Sequence, residues 1–277
     1  MSDAYDVDAL DDVGSDKLKM LLHGKQGHGK TTNALSIARV CKTVVIDLPG
    51  EKGLRSIKKV PYSKNIKVVR PKTVDVMDDI FWDLQTDSGP MKGCEAVVLE
   101  SASAYAAMCI RKILGAPENA IRPIENKLKA MQIQDWGTLL GFMTDLATFW
   151  YGLADATSAN PMHVIFTCQS RRFVDEDTGD VTISLDVPGQ SSSPLLANPD
   201  YIGYCFVEQP EVEDIDETDQ WGYYVRFGPH DTLATKVHED IEANRALIKR
   251  GGVLGGVTNR QQFTIPKFAK MFDIPLK

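Results

Sequence analysis

Residues Gly24-Lys25-Gln26-Gly27-His28-Gly29-Lys30-Thr31 satisfy the pattern G-x-x-x-x-G-K-[ST], and each position has a chemical reason. Glycines let the chain turn back so that successive backbone N–H groups point at one anion, beside the positive N-terminus of the helix that follows. Lys30 supplies a cation between the β and γ phosphates of a nucleoside triphosphate, Thr31 a hydroxyl for magnesium, and Thr32 a further contact at the α phosphate. The expected nucleotide-binding residues are Gly24, Gln26, Gly27, His28, Gly29, Lys30, Thr31 and Thr32, with ATP and Mg2+ as the implied ligands. An apolar run precedes the motif and a helix-compatible stretch follows it, the context that separates a phosphate cradle from a chance glycine loop.

Holding a triphosphate is not cleaving it. Hydrolysis needs a carboxylate to orient the metal and a group to position water. In an open α/β sheet such groups stand at the carboxyl ends of strands. Glu100 closes the apolar run Ala96-Val97-Val98-Leu99, at the place where an Asp is usual, and either reaches a magnesium-bound water or the attacking water or is a strand-terminal acid facing solvent. Ser101 follows it in the same shell. Asp47 and Glu51 flank a Pro49-Gly50 turn, and either offers a general base near the γ phosphate, although turn chemistry alone also explains the pair. Gln169 ends the run His163 to Cys168, where a polar side chain senses the γ phosphate or simply caps a loop. The expected catalytic set is Lys30, Glu51, Glu100 and Gln169, with Thr31 and Glu100 at the metal.

These groups need strands to position them. Lys19 to His23, Thr43 to Asp47, Asn65 to Arg70, Glu95 to Leu99 and His163 to Thr167 read as strands. Thr31 to Cys41, Val74 to Leu84 and most of Ala102 to Ala156 read as helix, the last interrupted near Pro117 and Pro123. VDEDTGDVTISL reads as a hairpin with Thr178-Gly179-Asp180 in its turn. Tyr201 to Glu208 and Trp221 to Phe227 read as antiparallel strands joined by the acidic loop EVEDIDETDQ. The expected fold is α/β, a mostly parallel central sheet flanked by helices with antiparallel strands added late. A flexible acidic arm over 1–16, a core over 17–250 and a glycine-rich, then basic-aromatic tail over 251–277 complete the plan.

The chain has 277 residues, 43% hydrophobic and 25% charged, the profile of an ordinary globular protein. No apolar run approaches the roughly 20 residues that span a bilayer, and the acidic start lacks a signal-peptide pattern, so the expected location is the cytoplasm. Five scattered cysteines form no CxxC pair and suggest neither a zinc site nor disulfides. A net charge of −7 argues against coating nucleic acid by overall charge, although a local basic strip remains compatible with it.

With these pieces in order, the chain resembles RecA-like ATPases encoded by phages as single-strand annealing or recombination proteins. The resemblance covers Lys17 to Lys236 and rests on LLHGKQGHGKTT, VVIDLPGE, AVVLESAS, QDWGTLLGFMTDL and HVIFTCQSRRFVDEDTGDVTISLDVPGQ followed by PDYIGYCF. It implies one RecA-like P-loop core that assembles as a ring or filament on single-stranded DNA, with ATP used for assembly or turnover and a single-strand-binding protein as a further partner. It implies that Glu51 activates water, at a longer spacing from Asp47 than usual, that Glu100 replaces the usual Asp, and that Gln169 is the γ-phosphate sensor. Arg226 and Lys236 become candidates for a basic residue reaching a neighbour's nucleotide. DNA contacts are expected from the loops after Gln169 and after Pro188, where Gly189 to Ser193 suits either a ligand-ordered loop or a plain linker, while Arg171 and Arg172 suit phosphates, DNA, a neighbouring subunit or plain solvent equally. Phe173, Tyr201 and Tyr204 either stack on bases or fill the core.

Three function classes fit these residues: an ATP-dependent DNA recombination or annealing protein, a P-loop kinase or NTPase of another class, and a nucleotide-binding assembly protein with little hydrolysis. No arginine-rich lid of the kind a small-molecule kinase uses is evident in the sequence.

Overall fold

The computed structural model describes residues 17–51, 53–58, 60–119, 131–208, 222–228, 232–236, 253–256 and 263–276. The acidic arm and the EVEDIDETDQ loop lie outside them. Strands β1 (Lys19–Gly24), β2 (Thr43–Asp47), β3 (Ile66–Val69), β4 (Ala96–Glu100) and β5 (His163–Val174) are the strands expected from the apolar runs, with ends shifted by a residue or two in most. Four of their parallel pairings give the order β3-β2-β4-β5-β1. On the far side of β1 come β7 (Tyr201–Glu208), parallel to it, then β8 (Gly222–Arg226) and β9 (Val253–Gly256), each antiparallel to its neighbour. The result is the mostly parallel P-loop α/β sheet, with antiparallel strands added late.

Both faces of β1, β2, β4 and the parallel part of β5 are covered, which is why they read as continuous apolar runs instead of alternating ones, whereas the edge strand β3 has no buried residue. One face carries α2 (Asp75–Gln85), α3 (Ala102–Ile113), α4 (Ile133–Gly152) and the short α5 (Ser193–Ala197). Helix α4 buries Leu139, Met143, Leu146 and Trp150, and beside them Ala147 and Tyr151, each three or four residues from the last in its row, so that they line one stripe. Its start is fixed by a capping box between Gln132 and Asp135. No described helix is long and apolar enough to cross a membrane. All five cysteines are buried, and none is in a disulfide.

The opposite face is covered by α1 (Lys30–Ala34), a 3-10 turn over Leu35–Arg39 and the C-terminal helix α6 (Ile265–Met271). The helix expected from Thr31 to Cys41 is therefore α-helical only in its first part. At the change of pitch the Ser36 hydroxyl donates to Asn33 O (2.6 Å) and accepts from Ile265 N (2.7 Å), tying this segment to α6. The end of the chain, expected as a tail, is built into the core. Phe268 packs edge-on against Tyr201 (4.9 Å between centroids) and at a 35° tilt against Phe227 (4.8 Å), and β9 extends the sheet. Tyr201 and Tyr204 are buried, so core packing and not base stacking accounts for them, whereas Phe173 is 41% exposed.

Strand β5 runs well past the expected Thr167. Beyond Gln169 it leaves β1 and pairs antiparallel with β6 (Val181–Leu185) as a two-stranded ribbon. The Asp175 carboxylate accepts from Asp177 N and Thr178 N, both at 2.9 Å, and Gly179 takes φ 74°, so the turn closes at the expected hairpin. Gly189–Ser192 is not a free loop. It forms a 3-10 turn leading into α5, with Ser191 buried.

Two buried histidines have a consequence for folding. Burial holds His23 and His163 neutral, with pKa values lowered to about 4, whereas burial raises Glu100 to about 7. Between pH 6.5 and 4.5 the unfolded chain binds two protons at the histidines that the folded chain refuses. The folded chain binds one at Glu100 that the unfolded chain does not. The net of one proton lowers stability as pH falls. Urea unfolding at pH 6.5 and pH 5 is expected to differ by on the order of 1 kcal/mol, the acid sample being weaker.

Candidate functional site

The carboxyl ends of β1, β2, β4 and the parallel part of β5 meet at one sheet edge, over a pocket of about 890 Å³. Gln26, Gly27, Gly29, Lys30, Thr31 and Thr32 line it, and so do Glu51, Glu100 and Gln169. Residues spread over more than a hundred positions are thus gathered around one phosphate-sized loop. Gly27 and Gly29 have φ of 83° and 80°, the left-handed region that lets the loop fold back. Gly24 does not line the pocket. It marks a close approach, since a β-carbon there would lie 2.4 Å from Cys205 O of β7. His28 is also off the wall, its Nδ1 3.0 Å from the same carbonyl oxygen.

Lys30 is buried, and its ammonium donates to Gly24 O and Lys25 O (2.9 Å each) and to Gln169 Oε1 (3.0 Å). Burial lowers its pKa, since the charged form loses hydration. The second cluster is acidic. Thr31 Oγ1 donates to Glu100 Oε1 and Thr167 Oγ1 to Glu100 Oε2, both at 2.7 Å. Glu100 is 2% exposed, and desolvation outweighs the two hydroxyl donors in raising its pKa to about 7.

The two turn carboxylates have different fates. Asp47 Oδ2 pairs with Arg70 Nε at 2.7 Å, away from the pocket wall. Glu51 lines the pocket, and its Oε1 accepts from Ser101 Oγ at 2.5 Å. Ser101 also caps α3 by accepting from Ala104 N, so one hydroxyl ties the helix start to the Glu51 loop.

Neither Arg226 nor Lys236 lines this pocket. Lys236 Nζ donates to Ala197 O (3.0 Å), and Arg226 stands opposite Tyr204 in the β7–β8 ladder. The pocket includes residues that the sequence did not single out: Asn33, Gly50, Gly53, Arg55 and Tyr223. Gly53 presses so closely on the acidic cluster that a β-carbon would lie 2.2 Å from Thr31 Oγ1 and 2.8 Å from Glu100 Oε1. Proximity to the Pro49-Gly50 turn was the available signal for Gly53 and Arg55. Nothing in the local sequence marks Tyr223.

A family model described as an AAA domain matches residues 16–243. The chain belongs to this AAA family. No curated protein matches it. The AAA domain carries the P-loop ATPase architecture, and the matched span contains every residue placed around the pocket above.

The donor set of this AAA domain suits magnesium. Mg2+ prefers hard oxygen ligands, takes one or two from protein, and fills the rest with water and substrate phosphate. Thr31 and Glu100 offer a hydroxyl and a carboxylate already in contact. Among the described residues no cluster of three or more His, Cys, Asp or Glu forms a separate metal cage.

Proposed function

We propose that this AAA domain hydrolyses ATP with Mg2+ and couples the cycle to oligomer assembly on single-stranded DNA, in recombination or annealing. The observation that carries the reading is the Lys30–Gln169 hydrogen bond. Lys30 is the cation that meets the γ phosphate, and Gln169 is the residue at which β5 becomes the β5–β6 ribbon. A γ phosphate competes for Lys30 and frees Gln169 to contact it, and loss of that phosphate restores the bond. Asp186 N donates to Gln169 O, so both strands of the ribbon meet at the sensor.

In the hydrolytic step Glu51, held by Ser101, accepts the proton of the water attacking the γ phosphorus, and the bond to the β–γ bridging oxygen breaks. Lys30 and the P-loop N–H groups stabilise the charge that develops on the phosphate oxygens. Thr31 and Glu100 would hold magnesium, which would supply positive charge to the phosphate oxygens. The ribbon presents exposed Arg171, Arg172 and Phe173, with the Arg171 guanidinium 5.2 Å from the Phe173 ring centre. Cation and ring together match a phosphate backbone with unstacked bases.

The test is the steady-state ATPase rate with and without single-stranded DNA, beside ATP-dependent DNA binding. The expected result is stimulation by DNA and tighter DNA binding with ATP. Turnover indifferent to DNA, with no ATP-dependent binding, sinks the DNA half of the reading. Phosphoryl transfer to an added acceptor points to a kinase, and tight ATP binding without turnover to an assembly protein.

A further inference from the structure

The pocket extends further along the sheet than a triphosphate needs. Its γ-phosphate end is marked by Gln169 and Glu100, at β5 and β4. Across β1, its opposite wall is Tyr223 of β8, three strand spacings from β5, or ~14 Å. Among the described residues Tyr223 is the only aromatic on this wall. Its ring lies beside the P-loop, where a β-carbon on Gly29 would stand 3.2 Å from Cδ1 and 3.8 Å from Cε1. The next residue, Tyr224, alternates to the other face of β8 and stacks on Phe206 at 5.4 Å. Tyr223 keeps 36% of its surface exposed.

We propose that Tyr223 is the nucleobase wall of the site. Phosphates run from Gln169 and Lys30 over Gly29 to Thr32, and the base leaves the P-loop onto the Tyr223 ring. The inference rests on the nucleotide-binding reading and adds how the base is held. A ring face offers stacking and no hydrogen-bond code, so Tyr223 itself favours flat, large bases and does not separate adenine from guanine. A side chain at position 29 would, besides the strain of its φ of 80°, have to displace that ring.

The test compares dissociation constants of full-length wild type, Tyr223→Ala and Tyr223→Trp for MgATP, MgGTP and magnesium tripolyphosphate by titration calorimetry. The expected result is about a tenfold loss for both nucleotides in Tyr223→Ala, unchanged tripolyphosphate binding, and wild-type or tighter nucleotide binding in Tyr223→Trp. Unchanged ATP affinity in Tyr223→Ala overturns the proposal while leaving the nucleotide site standing. Equal losses for ATP and tripolyphosphate also overturn it, since the ring then only braces the P-loop. A wild-type protein that binds neither ligand overturns the nucleotide reading and this inference together.

Discussion

Replacing Lys30 by alanine is expected to lower ATP turnover by about 10²- to 10³-fold and to remove the stabilisation of the fold by MgATP. The size follows from where the ammonium stands. It is 5% exposed, so its charge acts on phosphate oxygens through little water. It is held toward the P-loop by Gly24 O and Lys25 O before any ligand arrives. Little reorganisation is then needed when charge develops on the γ phosphate. The ligand-free fold should change much less. Losing three hydrogen bonds is opposed by relief of a buried cation's desolvation, the same desolvation that lowers the Lys30 pKa. Thermal unfolding with and without MgATP, beside the turnover assay, checks both halves. A Lys30→Ala protein that still turns over ATP at more than a tenth of the wild-type rate would refute the assigned cradle.

The second large effect separates the two glutamates. Glu51→Gln is expected to keep MgATP affinity within a few fold and to lower turnover by about 10²- to 10⁴-fold, the range for a lost general base. Glu100→Gln is expected to lose turnover too, but through the metal: its magnesium requirement should rise by about tenfold or more. The glutamine can still accept from one threonine, and the other hydroxyl can rotate to accept from the new amide, so the fold should hold.

The two variants also differ in pH response. A carboxyl with its pKa raised to about 7 is neutral below that pH and a poor magnesium ligand. At subsaturating magnesium, wild-type turnover should therefore rise with pH up to about 7, and Glu100→Gln should lack that limb. Magnesium titrations at pH 6 and pH 8, on both variants, read this directly. If Glu51→Gln raises the magnesium requirement and Glu100→Gln does not, the two roles are reversed.

The P-loop was legible from sequence because its job is done by local backbone. Glycines at 27 and 29, a lysine and a threonine are needed at fixed offsets wherever the fold puts them. The inner parallel strands were legible for a related reason, since burial on both faces writes an unbroken apolar run. The Asp175–Asp180 turn declared itself through its own side-chain hydrogen bonds. Glu100 and Gln169 followed as residues at strand ends. The choice between Asp47 and Glu51 did not. Their separation places both near the turn, and only Arg70, arriving from the end of β3, takes Asp47 out of the pocket while Ser101 holds Glu51 in it.

The C-terminal segment and Tyr223 show the same limit more strongly. FTIPKFAKMF has the composition of a basic-aromatic tail, but the apolar face of the sheet beside Tyr201 and Phe227 is a better environment for Phe268 than water. Tyr223 lies nearly two hundred residues from Gly29, and strand order alone, β1 beside β7 beside β8, brings its ring to the phosphate loop. Sequence determined where the phosphate-loop motif lies, at Gly24 to Thr32, and which strand ends face it. Tertiary structure decided which carboxylate of the turn enters the pocket and which ring walls it, because those contacts are set by packing between elements that share no local code.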